Sequence, residues 1–285
     1  MTSAAQPAPA RYAVIGHPVA HSRSPFIHAQ FARQTGQAIE YTRIDCGADG
    51  FVAAVRAFAA GGAAGCNVTV PFKFDAAALA AVRTERAQLA GAANTLRFDA
   101  DGWLADNTDG VGLLRDIEHN AAFGLAGRRV LLVGAGGAGA GVLGPLLAAR
   151  PRELVVANRT PARAHALVGR HASMAREAGV TLRAATLQAP GRSFDLVINA
   201  SASSLQGAAV PVPDDALART GLAIDLMYGA AAQDFLDWAR RRGAQARDGL
   251  GMLVEQAAEA FQLWRGVRPD GAPVLQALRE HLARA

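Results

Sequence analysis

One lysine, Lys73, stands among 28 arginines in a chain of 285 residues. Arginine stays protonated in proteins, whereas an ammonium can give up or take a proton when its surroundings lower its pKa. A chain that uses arginine wherever it needs a cation thus singles out Lys73 as a candidate for proton transfer. The plain alternative is one surviving surface lysine. Lys73 closes the run Asn67-Val-Thr69-Val-Pro71-Phe-Lys73. Alternation predicts Val68 and Val70 on one strand face, Thr69 on the other, and Pro71 as the strand end. Lys73 then falls at the mouth of a strand-to-helix turn, where α/β folds tend to bind ligands.

Three further clusters carry polar chemistry. In His21-Ser22-Arg23-Ser24-Pro25, proline suits a first helical turn and Ser24 suits the cap before it. Two hydroxyls beside exposed helix N–H groups also make a carboxylate site, and the two roles are compatible. Asn94-Thr95 and Asp106-Asn-Thr-Asp109-Gly110 offer amides and carboxylates, with Asp109 a second ionisable candidate. Both clusters are rich in turn formers, so ordinary turns remain open for them. The seven histidines show no metal-ligand spacing with cysteine or carboxylates, and no metal is expected.

A glycine turn sets the cofactor chemistry. Val130–Val133 is a short apolar run of buried-strand type. It leads into Gly134-Ala135-Gly136-Gly137-Ala138-Gly139 and an Ala/Leu-rich helix. Strand, G-x-G-x-x-G and helix in that order let the backbone approach a pyrophosphate at a helix N-terminus. About twenty residues on, an NAD site would place an acid. This chain has Asn158-Arg159-Thr160, with Arg163 one turn later. An acid repels a ribose 2′-phosphate, whereas guanidinium and hydroxyl donors attract it, which points to NADP. For Arg159 alone, a solvated surface charge is the competing reading.

Two sets of alternating elements must position these residues. Strands are predicted at 11–16, 39–45 and 65–70, with helices at 25–34, 50–60 and 72–79. A second set has strands at 130–133, 153–158, 181–186, 195–200 and 222–226, and helices from 137 to about 150, at 161–178 and at 234–242. Strands alternating with helices imply an α/β fold whose second part is a doubly wound parallel Rossmann sheet. An amphipathic helix at 250–264 ends the alternation and returns to pack elsewhere, and a last helix follows Pro273. The expected domains are 10–109, completed by 250–285, and 110–249, with the site in the cleft between them.

Composition narrows the class. At 51% hydrophobic and 19% charged, the chain supports a sizeable core, with a short Ala/Pro-rich tail at residues 1–9. No apolar run approaches a membrane span, and no secretory signal is visible. Cys46 and Cys66 make no disulfide framework, which suits a reducing cytoplasm. Net charge is only +5 with scattered arginines. The one cluster, Arg240–Arg242, answers a helix dipole before Gly243, so nucleic-acid binding is not expected.

Taken together, HSRSP, NVTVPFK, AGAANTL, DNTDGVG, GAGGAG, NRT-x-x-R, DLMY and DGLGMLVEQAA resemble the shikimate dehydrogenase family, in that order, from Tyr12 to about Leu282. The resemblance implies reversible NADPH-dependent reduction of 3-dehydroshikimate to shikimate. It places Ser22 and Ser24 on the substrate carboxylate. Thr69, Lys73, Asn94, Asp109, Tyr228 and Gln256 would contact the carboxylate and ring hydroxyls. Gly134, Ala135, Gly136, Gly137 and Ala138 would cradle the pyrophosphate, and Asn158, Arg159, Thr160 and Arg163 would take the ribose phosphate. Leu226, where family members often carry Met, and Gly249 would lie near the nicotinamide, and Glu85 would make a further cofactor contact. Asn199-Ala-Ser-Ala-Ser departs from the commoner Asn-Ala-Thr-Ser. A homodimer is compatible with the family.

Under that reading Lys73 supplies the proton to the carbonyl oxygen and Asp109 orients it. Sequence does not fix which of the two holds the proton, because close ionisable pairs titrate jointly. Three rival readings stay open: an NAD-using quinate/shikimate dehydrogenase, a non-catalytic ligand-binding regulator of the same fold, and a basic nucleic-acid binder.

Overall fold

The computed structural model describes residues 8–201 and 212–284 and divides the chain into two compact units. The first contains residues up to 84, 92–108 and 257–285. The second contains 85–91 and 109–256.

In the first unit, β1 (Ala10–Gly16) is buried from Tyr12 onward and pairs in parallel with β2 (Ile39–Asp45) and β3 (Gly65–Val68). Helices α1 (Ser24–Thr35) and α2 (Phe51–Ala60) make the crossovers between these strands. Helix α3 (Lys73–Leu79) follows, and then three short strands: β4 (Val82–Arg83), β5 (Thr95–Arg97) and β6 (Leu104–Asp106). The sheet order is β2-β1-β3-β5-β6-β4, with β5 antiparallel to both of its neighbours. Its apolar face buries Ala13, Ile15, Phe51, Val55, Val68, Phe72 and Leu96.

Trp264 closes the other face. Its ring stacks on Tyr12 with centroids 4.5 Å apart, and its Nε1–H donates to the Leu96 carbonyl at 3.0 Å. A side chain on Gly65 would run into that indole, so a bare glycine is required there.

The second unit opens with α4 (Glu85–Ala90) and α5 (Asp109–Arg115), both packed on α6 (Gly137–Ala148). Its strands are β7 (Arg129–Val133), β8 (Glu153–Ala157), β9 (Thr181–Ala185), β10 (Phe194–Asn199), β11 (Leu217–Asp225) and β12 (Gln245–Arg247). The sheet order is β12-β11-β10-β7-β8-β9 and every pairing is parallel. Counted from β7, this is the doubly wound order 3-2-1-4-5-6 read from the other edge, whose reversal between β7 and β10 opens the crevice used by dinucleotides. Helices α7 (Pro161–Ala178) and α8 (Gln233–Arg241) complete the layers. Of α9 (Leu250–Arg265), residues 250–256 count with this unit and 257–265 with the first, which also holds α10 (Gly271–Ala283).

Several expectations need correction. Strand β3 stops at Val68, because Thr69–Phe72 closes a turn in which the Phe72 N–H donates to the Thr69 carbonyl at 3.1 Å. Val70 is therefore exposed rather than on the buried face of Val68. Asp106–Gly110 is no turn: Asp106 ends β6 and Asp109 starts α5. Strand β11 begins at Leu217, and α10 begins at Gly271, where the Asp270 carboxylate accepts the Ala272 N–H at 3.0 Å. No helix among the described residues is long and apolar enough to cross a membrane. Within the departing loop Asn199–Ser203, residues 202 and 203 lie outside the described residues.

Candidate functional site

The substrate-side candidates of the first unit sit where β1 and β3 end and where β5 begins. Ser24 is the first residue of α1, not its cap: Arg23 holds the N-cap position with no side-chain cap bond. Ser22 does the local work instead, accepting the Ser24 N–H at 3.3 Å and donating its hydroxyl to Ser24 Oγ at 3.2 Å. The Ser22 carbonyl is pinned by Arg43, whose Nε–H and Nη2–H donate to it at 3.0 and 2.6 Å. Two hydroxyls at a helix N-terminus, with a guanidinium behind them, suit a carboxylate.

Lys73 is half-buried at the first position of α3, and its carbonyl accepts the Ala93 N–H at 2.7 Å. That bond ties the lysine's backbone to the Ala93-Asn94 segment. Thr69 is half-buried in the turn just before it.

Asn94 is buried in a polar network. Its Oδ1 accepts the Thr108 N–H at 2.8 Å and the Thr95 hydroxyl at 3.0 Å, while its Nδ2 donates to Thr108 Oγ1 at 2.9 Å. Neighbouring Asp106 accepts from the Thr84 hydroxyl and from the Asn107 N–H at 2.6 and 2.7 Å, and Asn107 Nδ2 donates to the Ala92 carbonyl at 2.8 Å. The residues between Asp106 and Asp109 are thus fixed by hydrogen bonds rather than left as loop.

In the second unit, the glycine run joins β7 to α6 at the sheet's switch point. Gly134 has φ +110 and packs against the Ala200 and Ser201 backbone, and Gly139 packs against the Gly134 carbonyl, so neither admits a side chain. Gly136 differs: it caps α6 in an extended conformation, and a methyl there would meet nothing within 4 Å. Ala135 completes this turn, and Gly137 and Ala138 open the helix. Open space beside the first N–H groups of α6 fits a dinucleotide pyrophosphate.

Asn158, at the end of β8, accepts the Ala135 N–H on Oδ1 at 3.1 Å and donates to the Thr160 carbonyl at 2.9 Å. It braces the glycine loop. Thr160 is the N-cap of α7, ahead of Pro161. Arg159 and Arg163 are exposed, and among the described residues neither pairs with a carboxylate. Two uncommitted guanidiniums with no acid beside them fit a 2′-phosphate.

Leu226 and Gly249 come together: a side chain on Gly249 would collide with the Leu226 backbone, and the Gly249 N–H donates to the Met227 carbonyl at 2.9 Å. Buried Asp225 beneath them accepts from Asn199 Nδ2 and from the Met227 N–H, each at 2.8 Å. Tyr228 follows directly, at the N-cap of a short 3₁₀ turn. Gln256 is buried on α9 with its backbone against Gly112 of α5, and its Nε2 donates to the Leu253 carbonyl at 2.8 Å. Asp109 is buried at the start of α5, and Glu85 is exposed in the first turn of α4.

Sequence reading gave no role to Arg43, Tyr41, His28, Asn67, Thr95, Thr108 or the buried Asp116. Asp116 accepts from Arg247 Nη2 at 2.8 Å and Asn120 Nδ2 at 3.0 Å, and it fills the space above Gly251. The usable signal was a polar residue inside an apolar strand, as at Asn67, because buried amides and carboxylates need assigned partners. Among the described residues no group of three or more His, Cys, Asp or Glu could hold a metal ion.

Residues 14–96 match the shikimate dehydrogenase substrate binding domain, 117–208 match shikimate/quinate 5-dehydrogenase, and 249–279 match the shikimate 5'-dehydrogenase C-terminal domain. The shikimate dehydrogenase (NADP(+)) of Acidovorax sp. (strain JS42) is 62% identical over 95% of this chain and 96% of its own length. That of Paracidovorax citrulli is 63% identical over 96% and 98%. The solved shikimate 5-dehydrogenase of Thermus thermophilus in complex with NADP(H) and shikimate superposes with TM-score 0.82 at 32% identity, covering 95% of this chain and 99% of that one. With identity above 60% over nearly the full length of both chains, the chain belongs to the shikimate dehydrogenase family of oxidoreductases.

Proposed function

We propose that this chain catalyses the NADP-dependent, reversible reduction of 3-dehydroshikimate to shikimate in the biosynthesis of aromatic amino acids. One observation carries the cofactor choice. Strand β8 runs into Asn158-Arg159-Thr160, with no acid there to repel a 2′-phosphate and with Arg159 and Arg163 exposed. Family membership supports the substrate.

When bound, NADPH supplies the hydride. The chain's own residues handle charge and orientation. Ser22 and Ser24 would receive the carboxylate at the α1 N-terminus, held in place through Arg43. Thr69, Asn94, Tyr228 and Gln256 would fix the ring hydroxyls. As the carbonyl oxygen gains negative charge, Lys73 Nζ would donate a hydrogen bond and then its proton, with Asp109 orienting the amine and the new hydroxyl. In the oxidative direction the same pair would take the proton back. The first unit would then act as the substrate-binding domain and the second as the NADP-binding domain, in a cytoplasmic enzyme compatible with a homodimer.

Steady-state rates with shikimate or quinate, each with NADP or NAD, test the reading. Shikimate with NADP should give the highest kcat/KM. A clear preference for NAD or for quinate would favour the rival quinate/shikimate dehydrogenase, and no turnover with any pair would favour a silent binder.

A further inference from the structure

The first unit contains a directed chain of hydrogen bonds that reaches a proposed substrate residue from the far side of the sheet. Register places Asn67 opposite Thr95, and Thr95 opposite Asp106, in one row across β3, β5 and β6. Two strands away on β2, Tyr41 pairs with Tyr12, which in turn faces Gly65. Side chains two apart on a strand share a face, so Asn67 projects from the same face as Gly65, whose space the Trp264 indole takes. The Tyr41 hydroxyl lies 2.7 Å from Asn67 Oδ1.

The polarity of this chain follows from its fixed acceptors. Asn67 Nδ2 faces the Asn94 carbonyl at 3.2 Å, which can only accept, so Oδ1 must face Tyr41 and the phenol must donate. Nδ2 also donates to Thr95 Oγ1 at 3.1 Å. Thr95 then sends its own proton to Asn94 Oδ1 at 3.0 Å, where the Thr108 N–H arrives as well. With two donors on its oxygen, Asn94 is held with Nδ2 as its donor edge. A reversed Asn94 amide would set N–H against N–H.

The start of the chain is equally constrained. The His28 ring, fully buried, stacks on Tyr41 with centroids 4.2 Å apart and 7° between planes. Burial pushes the His28 pKa down to about 3, with Asn67 opposing, so the imidazole there is neutral at ordinary pH. Burial, reinforced by Cys66, raises the Tyr41 phenol well above its ordinary value, with the Ser24 hydroxyl opposing. Tyr41 thus keeps the proton it must donate.

We propose that Tyr41 is a positioning residue for substrate: through Asn67 and Thr95 it reinforces the Thr108 N–H in holding the direction in which Asn94 presents its amide to a ring hydroxyl. This rests on the functional reading above only in that Asn94 meets the substrate. Hydrogen bonds in such a chain polarise one another, so a donor lost at its start is felt at its end.

Tyr41→Phe keeps the ring stacked on His28 and removes only the donor. Shikimate KM should rise roughly 3- to 10-fold, the scale of one lost hydrogen bond, while NADP KM stays close to wild type and the melting temperature falls by only a few degrees. Asn67→Asp keeps the shape but cannot donate to Asn94 or Thr95, and should raise shikimate KM further. In an Asn94→Ala background the Tyr41→Phe effect should vanish, because the two residues act in series. Three results would overturn the proposal while leaving the function intact: an unchanged shikimate KM in Tyr41→Phe, an equal rise in both KM values, or additivity with Asn94→Ala. A wild-type chain that does not oxidise shikimate would instead overturn the functional reading, and this proposal with it.

Discussion

Replacing Gly136 and Gly139 one at a time with alanine separates cofactor binding from packing within a single loop. A Cβ on Gly139 would overlap the Gly134 carbonyl oxygen and lie 3.0 Å from its carbon. Carbon atoms pack at about 3.5–4.0 Å, so two backbone segments would have to part by roughly 0.5–1 Å. Neither is a flexible side chain, and such overpacking costs about 1–3 kcal/mol. At roughly 2–4 °C per kcal/mol for a domain of this size, Gly139→Ala should melt about 2–12 °C lower without ligand. Gly136 has φ −86 and ψ −169, which alanine adopts freely, and open space around its Cβ position. Gly136→Ala should therefore melt within about 2 °C of wild type, as surface substitutions usually do. If the pyrophosphate approaches through that space, the methyl displaces about one charge-assisted hydrogen bond of roughly 1.5–3 kcal/mol. The Kd for NADPH should then rise roughly 10- to 100-fold. Thermal denaturation and a fluorescence titration of NADPH read the two effects separately. Wild-type NADPH affinity in Gly136→Ala would refute the cradle, and an unchanged melting temperature in Gly139→Ala would refute the packing argument.

Three other outcomes follow from the same geometry. Arg159→Ala and Arg163→Ala should each raise the KM for NADP about 10-fold and leave that for NAD unchanged, with the gap narrowing as salt is added; equal effects on both cofactors would contradict the 2′-phosphate assignment. Arg43→Met releases the Ser22 carbonyl and should raise shikimate KM roughly 10-fold with NADP KM unchanged, as initial-rate kinetics would show. Between about pH 6.5 and pH 3 the unfolded chain binds a proton at His28 that the folded chain refuses, so stability falls as pH drops through that window, by up to about 1.4 kcal/mol per pH unit. His28→Gln should flatten that fall when urea midpoints at pH 7 and pH 5 are compared, and an identical decline in both proteins would argue against it.

What the sequence disclosed was local. Val130–Val133 followed by the glycine run is strand, turn and helix within twenty residues, and the parallel direction of β7 to β11 follows from alternation, whereas the three-residue β12 carries no readable period. The antiparallel half of the first sheet escaped notice, because β4, β5 and β6 are two or three residues each and carry no readable period. At Val70 an alternating pattern continues past the true end of β3, and at Asp106–Gly110, where a turn is left open, turn-forming composition conceals a strand end and a helix start. Ser-Pro is a strong local cap signal at Ser24, whereas the hydrogen bond that organises the turn is accepted by Ser22. The motif residues Lys73, Asn94 and Asp109 were legible as chemistry. Their supports were not: Tyr41 and Asn67 are 26 residues apart, Arg43 and Ser22 are 21 apart, and no single-sequence pattern couples such pairs.

The most direct test of the account is the turnover of Lys73→Arg with shikimate and NADP, followed at 340 nm alongside a titration of NADPH binding. Arginine keeps the positive charge but cannot give up its proton. The account predicts a loss of turnover of roughly 10²-fold or more, the scale of a missing acid–base group, with NADPH affinity unchanged. Near-normal turnover in that variant would contradict it.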